Sequence, residues 1–336
     1  MYNNFIILIV FSIVLFLYIH IYYHLKTSSD LEIYEIQDTT KENFEKICDL
    51  RQPVLFYSSF YEDIYPQFTI LQLTKLFSHF DIHIRNCNVN HEYPNMHLYK
   101  SCMLEEGIKI IKSNPYVYSE NNDHFLQESG LYKVIKQHDD HLRPSFLVQS
   151  KYDLLIGSQC ITPLKYNVSY KNFIIPIEDS IQIKLVPPRY SSFMDIQKDF
   201  EYFQFLSGDN LWVDNYNKKI KSVTFTLHPR QILLIPAYWF YSFHFIKPNI
   251  ILHLQYYTCM NIATIIPDMA MYLFQQQNIK YKTPCAIKKI SEEDSKEDTD
   301  TDTKTKTKTN HNPDQQNIKL KKDINIKSEE RAVNVV

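Results

Sequence analysis

The sequence predicts a mainly β domain with flanking helices (α+β), joined to one N-terminal transmembrane helix. Three observations predict it. An uncharged apolar run from Phe5 to Tyr23 lies near the start of the chain. From Phe146 onward, short β-branched and aromatic runs follow one another across polar or proline breaks, with few helical periods between them, which suits a closed or sandwiched β domain. Glycine is scarce, with four in 336 residues (Gly107, Gly130, Gly157 and Gly208). Neither a dinucleotide fingerprint nor a P-loop can be written from those four, which weighs against nucleotide-binding folds.

The apolar run sets the first segment, residues 1–26. From Phe5 to Tyr23 a helix extends about 28 Å, close to the hydrocarbon thickness of a bilayer. Tyr22 and Tyr23, followed by His24 and Lys26, suit the interfacial belt. A cleaved signal peptide would carry a basic start and a small-residue cleavage site, and neither Met-Tyr-Asn-Asn nor His-Leu-Lys-Thr-Ser-Ser-Asp supplies one. Lys26 follows the run and no side-chain cation precedes it, so the positive-inside rule expects a single-pass membrane protein with a cytoplasmic body. Six scattered cysteines without a C-x-x-C pair fit reduced, buried thiols in that compartment. The glycosylation triplet Asn167-Val168-Ser169 falls in a predicted strand and does not oppose it.

Residues 27–145 read as a helical and mixed segment. Asp38-Thr39-Thr40-Lys41-Glu42 resembles a helix start, with Phe44 and Ile47 as its apolar positions. Pro53–Tyr57 is a short buried strand, and residues 68–80 and 82–89 follow as helix and strand. The β core spans 146–260, with strands at FLVQ, DLLIG, NFIIPI, IQIKLV, SVTFTL, QILLIP, FYSFHF and NIILHLQYY. The segment 261–285 holds a terminal helix from Thr264 to Ile279, with Ile266, Met269, Ala270, Leu273 and Phe274 on one side. Residues 286–336 are charged and free of aromatics, so they are expected to stay disordered. A net charge of −2 gives no pull toward nucleic acid, and no such partner is expected. His138-Asp139-Asp140-His141 has metal-ligand residue types but sits in a polar stretch before the β core; His91 and His97 are no better placed.

Several landmarks then occur in order: QPVLFYS at 52–58, Ser119-Glu120-Asn121-Asn122 with Phe125-Leu126, Gly157 leading to Thr162-Pro163-Leu164, Asn172-Phe173, Lys184–Pro188, and Leu233–Trp239. Over residues 40–280 or so, this series resembles the cupin-like (JmjC-type) domains. Its wording is closest to membrane-anchored cupin-like proteins of large DNA viruses. The resemblance implies a double-stranded β-helix (cupin, or jelly-roll) barrel. In catalytic members of that family two histidines and an aspartate hold Fe(II), leaving positions for 2-oxoglutarate and oxygen.

The His-x-Asp pair of such members works because alternate strand residues point the same way. Carried onto this chain, the resemblance places Lys165 and Asn167 at that pair, Tyr241 at the distal histidine and Ile181 at the cosubstrate lysine. A protonated ammonium has no lone pair for a cation, and an amide oxygen is a weak neutral donor. The implied reading is a degenerate site without a cofactor, in a non-catalytic module that binds a protein partner or a small anionic ligand. Lys165 then either binds an anion or fills the vacated metal position. Two alternatives stay open: an Fe(II)/2-oxoglutarate-dependent oxygenase of hydroxylase or demethylase type with atypical ligands, and a structural assembly scaffold. His244 lies three residues past Tyr241 and so on the opposite face; with His228 and His253 it reads as exposed or core-satisfied. The family likeness also implies homodimers through the C-terminal helix.

Overall fold

The computed structural model describes residues 2–37, 40–87, 99–213 and 219–278. The charged segment 286–336, Cys285, His91, His97 and the Asp38-Thr39 pair of the expected helix start lie outside them. Helix α1 (Tyr2–Leu25) carries no charged Asp, Glu, Lys or Arg, and it is long and apolar enough to cross a membrane. Then come β1 (Tyr34–Ile36), α2 (Lys41–Cys48), β2 (Val54–Tyr57), α3 (Phe60–Phe68), α4 (Ile70–Phe77), β3 (Asp81–Asn86), β4 (Lys100–Met103), α5 (Leu104–Ser113), β5 (Val117–Ser119), α6 (Asp123–Glu128) and α7 (Leu131–His138). Amphipathic spacing explains these helices: α2 buries Phe44 while Glu42 and Lys46 pair on its outer side, and the Thr69 hydroxyl caps α4 by accepting from the Gln72 amide.

The strand-rich part contains β6 (Leu147–Gly157), β7 (Leu164–Tyr166), β8 (Lys171–Pro176), β9 (Ile181–Val186), β10 (Ile196–Asp199), β11 (Gln204–Ser207), β12 (Val223–Leu227), β13 (Gln231–Leu234), β14 (Phe240–Phe245) and β15 (Asn249–Thr258), followed by α8 (Cys259–Asn278). Nine strands form one sheet in the order β1-β2-β13-β8-β15-β6-β5-β3-β4, and six form a second in the order β10-β11-β7-β14-β9-β12. The result is mixed α/β architecture with two large sheets. Strand alternation divides its core into layers. Phe173, Ile175, Leu252 and Leu254 face the helices, against Phe44, Ile64 and Phe68. Their strand neighbours Ile174 and Ile251 face the other way and pack with Ile183, Tyr241, Phe243 and Phe245 of the six-stranded sheet. A third cluster, with Tyr166, Phe205, Phe240 and Ile265, seats α8.

Four expectations need correction. FLVQ and DLLIG are halves of one long strand, β6, because the intervening Ser150-Lys151-Tyr152 stays in register with β15. The terminal helix starts at Cys259, five residues before Thr264, and buries Ile265 while Ile266, Leu273 and Phe274 stay exposed. The triplet Asn167-Val168-Ser169 follows β7 instead of lying within a strand. Of the cysteines, Cys48 and Cys160 are buried, Cys87 and Cys102 are half-buried, and Cys259 is exposed.

Gly157 ends β6 where the chain passes the Phe245 ring, and a Cβ there would lie 2.5 Å from a ring carbon. Gly157→Ala is expected to cost about 1–3 kcal/mol through overpacking, measured by urea unfolding of the detergent-solubilised chain.

Candidate functional site

Strand register assembles the site. Lys165 and Tyr241 are directly opposed in the β7–β14 pair, and Asn167, two residues past Lys165, lies beside Tyr241. From the facing sheet, β8 contributes Asn172, β15 His253 and β6 Asp153, each buried. The turn after β5 adds Glu120. Lys165, Asn167 and Tyr241, which the sequence placed together, do converge. Ile181 does not join them. It opens β9 opposite Phe245 and Leu227, fully buried among apolar side chains, and offers no polar atom.

At the centre is a buried charge cluster. The Lys165 Nζ pairs with Glu120 Oε2. Arg85 Nη1 donates to Glu120 Oε1 at 2.7 Å, and the hydroxyls of Tyr118 and Tyr99 donate to the same oxygen at 2.9 and 3.1 Å. Burial alone would raise the Glu120 pKa, but the Lys165 and Arg85 charges outweigh it and hold the carboxyl at about 2. Gln204 closes the cluster, accepting from Arg85 at 3.1 Å and donating to Tyr99 at 2.5 Å. The Lys165 ammonium also lies 5.8 Å from the centre of the Tyr241 ring.

A neutral chain runs alongside. Asn167 Nδ2 donates to the Tyr241 hydroxyl at 2.8 Å and lies 3.2 Å from His253 Nε2, which also meets Asn172 Oδ1. Burial, then the Lys165 and Lys151 charges, push the His253 pKa well below its usual value, so the imidazole is neutral. Burial and the nearby Glu120 push the Tyr241 phenol well up. A cavity of about 60 Å³ remains beside these groups.

The turn that delivers Glu120 is built for that purpose. Asn121 takes φ 63°, and the amides of Asn121 and Asn122 donate to Asp153 at 2.9 and 2.6 Å. The Asn122 side chain accepts from the His83 amide at 2.8 Å and donates to Ser119 Oγ and the Leu154 carbonyl. Sequence reasoning quoted Ser119–Asn122 as a landmark but missed Glu120 as the counter-charge to Lys165. The available signal was a lysine at an inward strand position, which demands a buried anion. His253, expected to be exposed or core-satisfied, is buried and satisfied, and its partners belong to this site.

The other histidines separate from it. Alternation puts His244 on the opposite face of β14 from Tyr241, as expected. There it lies 3.2 Å from Gln182 Oε1 and edge-on to Trp212. That face borders a larger cavity of about 490 Å³, lined by Trp212, Ser242, Asp209 and Thr162 among others. His228 is exposed. In the 138–141 group, Asp139 is fully buried and accepts from the hydroxyls of Tyr152 and Tyr256 at 2.5 and 2.6 Å while pairing with Arg143, a packing role. Among the described residues no group of three or more His, Cys, Asp or Glu side chains converges as a metal site. No protein-family model matches the chain, and no curated protein matches it as a relative.

Proposed function

We propose that this chain is a membrane-anchored, cupin-like (JmjC-related) domain with a double-stranded β-helix core. Its Fe(II)/2-oxoglutarate position is degenerate, and it works as a non-catalytic ligand- or protein-binding module. One observation carries the reading: the Lys165 ammonium, bound to Glu120, stands where the family resemblance expects the first iron ligand. The two facing sheets, with β7, β14 and β9 opposite β8, β15 and β6, support the barrel. Iron does not fit the donors present. A cation there would meet the Lys165 charge, the Tyr241 hydroxyl and His253 Nε2 already face the Asn167 amide nitrogen, and the Asn167 oxygen offers only one weak neutral donor. Glu120 and Asp153, the nearby carboxylates, are each held by several donors.

Ile181 at the cosubstrate position supplies no cation to clamp a carboxylate. Binding is better served by the 490 Å³ cavity on the outer face of the six-stranded sheet, within the size range of small-molecule sites and edged by an aromatic ring with polar neighbours. Lys26 after the apolar helix, together with unpaired cysteines among the described residues, supports a cytoplasmic body. The full chain, solubilised and supplied with Fe(II), ascorbate and 2-oxoglutarate in air, is expected to form no succinate above a protein-free blank. Steady succinate formation that disappears in Asn167→Ala would establish the oxygenase alternative instead.

A further inference from the structure

The end of α1 is fixed to the body. Arg51 Nη1 donates to the His24 carbonyl at 3.1 Å, and its guanidinium lies 5.2 Å from the ring centres of both Tyr23 and Tyr170. Helix α8 also packs against α1. Between them is a groove of about 630 Å³, with Phe16, Ile19 and Tyr23 on one wall and Phe146, Cys259 and Met260 on the other.

Where α1 crosses a bilayer, depth follows from helix geometry. Tyr22 and Tyr23 suit the interface, so Phe16 lies about 10 Å deeper, among acyl chains. Whatever faces Phe16 across the groove shares that depth. Phe146 fits such a place and fits water poorly: it is 85% exposed and held at φ 58°, a conformation a bulky apolar residue rarely adopts. The carboxylates at the rim are already engaged, Asp49 by the Tyr170 hydroxyl at 2.8 Å and Glu45 by Lys171 at 3.0 Å. From Thr258 to Asn278 the only formally charged side chain is Asp268, paired with Lys198.

We propose that this groove is a lipid site: it takes an acyl chain of the surrounding bilayer and seats the body against the membrane instead of leaving it on a free tether. The inference rests on reading α1 as a membrane span. A lipid suits the groove better than a second copy, because one wall is the span itself and acyl chains surround it at that depth.

The test uses the full chain in phosphatidylcholine nanodiscs, with an environment-sensitive fluorophore at Cys259 in a Cys87→Ala/Cys102→Ser/Cys285→Ser background. The quencher is a phospholipid bearing a nitroxide midway down its acyl chain, at a depth between those of Phe16 and Ser12. Parallel labels sit at Ser12→Cys in α1 and at the exposed position Lys109→Cys in α5, each in the same background with Cys259→Ser. The labels at 259 and 12 should lose about half their emission, as groups buried at acyl depth do, and the label at 109 almost none. Quenching at 12 without quenching at 259 overturns the lipid site and leaves the span intact. No quenching at 12 overturns the span reading, and the lipid site falls with it. A Cys259 label shielded from nitroxide, with copy-to-copy crosslinking through Cys259, assigns the groove to a second copy and overturns the proposal.

Discussion

Glu120→Gln is expected to destabilise the body by about 3–5 kcal/mol, the usual cost of stranding a buried charge. The substitution keeps the side-chain shape and removes the anion that, among the described residues, contacts both Lys165 and Arg85. Two buried cations would then face each other across a neutral amide, which neither can leave without disrupting β3 or β7. Tyr99 and Tyr118 would keep an acceptor in the amide oxygen, while the amide nitrogen in place of Oε2 cannot accept from Lys165, so the loss combines the missing charge with a stranded ammonium donor. Adding Lys165→Met should recover part of the loss, because one of the stranded cations disappears, and the double variant should be less destabilised than the sum of the singles. Urea unfolding of the detergent-solubilised chain measures all three. A Glu120→Gln cost below about 1 kcal/mol would mean that water reaches the cluster and screens it.

Acid should unfold the protein in two limbs. His253 is neutral in the fold, with its pKa well below 6.5, while an unfolded histidine takes up a proton near 6.5. Protons therefore bind the unfolded state first, and stability falls as pH drops below 6.5, by at most about 1.4 kcal/mol per pH unit until the folded group titrates. Glu120 adds the second limb. Its folded value of about 2 lies below the ordinary 4.5, so its stabilisation is complete above 4.5 and drains away as pH falls toward 2. Asp153 runs the other way, since burial raises its pKa and protonation suits the fold. His253→Asn should make the limb just below pH 6.5 shallower, with His244, whose pKa burial also lowers, keeping part of it, and should leave the lower limb, while Glu120→Gln should flatten only the lower. Unfolding midpoints from pH 7.5 to 3 test this, and an unchanged upper limb in His253→Asn would contradict the buried neutral imidazole.

Much of the fold was legible because its strands are long, apolar and bounded by turn residues. Ile181–Val186 and Phe240–Phe245 could be read to the residue, since β-branched and aromatic side chains alternate there with Gln182, Lys184, Ser242 and His244 between turn breaks. Short strands such as Ile196–Asp199 were not legible: their pattern is too brief to stand out, and their pairing with β11 sets them. The apolar side of α8 was legible but its partner was not, because apolar spacing alone cannot say which stripe meets the body: Ile265 is buried while Ile266, Leu273 and Phe274 are exposed. At the site, Lys165, Asn167 and Tyr241 followed from strand alternation and family likeness. Glu120, Arg85 and Gln204 arrive from distant segments, and no local spacing announces them. Their partnership depends on which turn faces which strand.

Under the proposed function, the Lys165–Glu120 pair stands at the position where a metal would be needed. The most direct test of that placement is metal content of the full chain after anaerobic reconstitution with excess Fe(II) and removal of unbound ion. The pairing of Lys165 with Glu120 predicts iron far below one ion per chain, unchanged in His253→Asn. One tightly held iron per chain, lost when His253 or Glu120 is replaced, would contradict it.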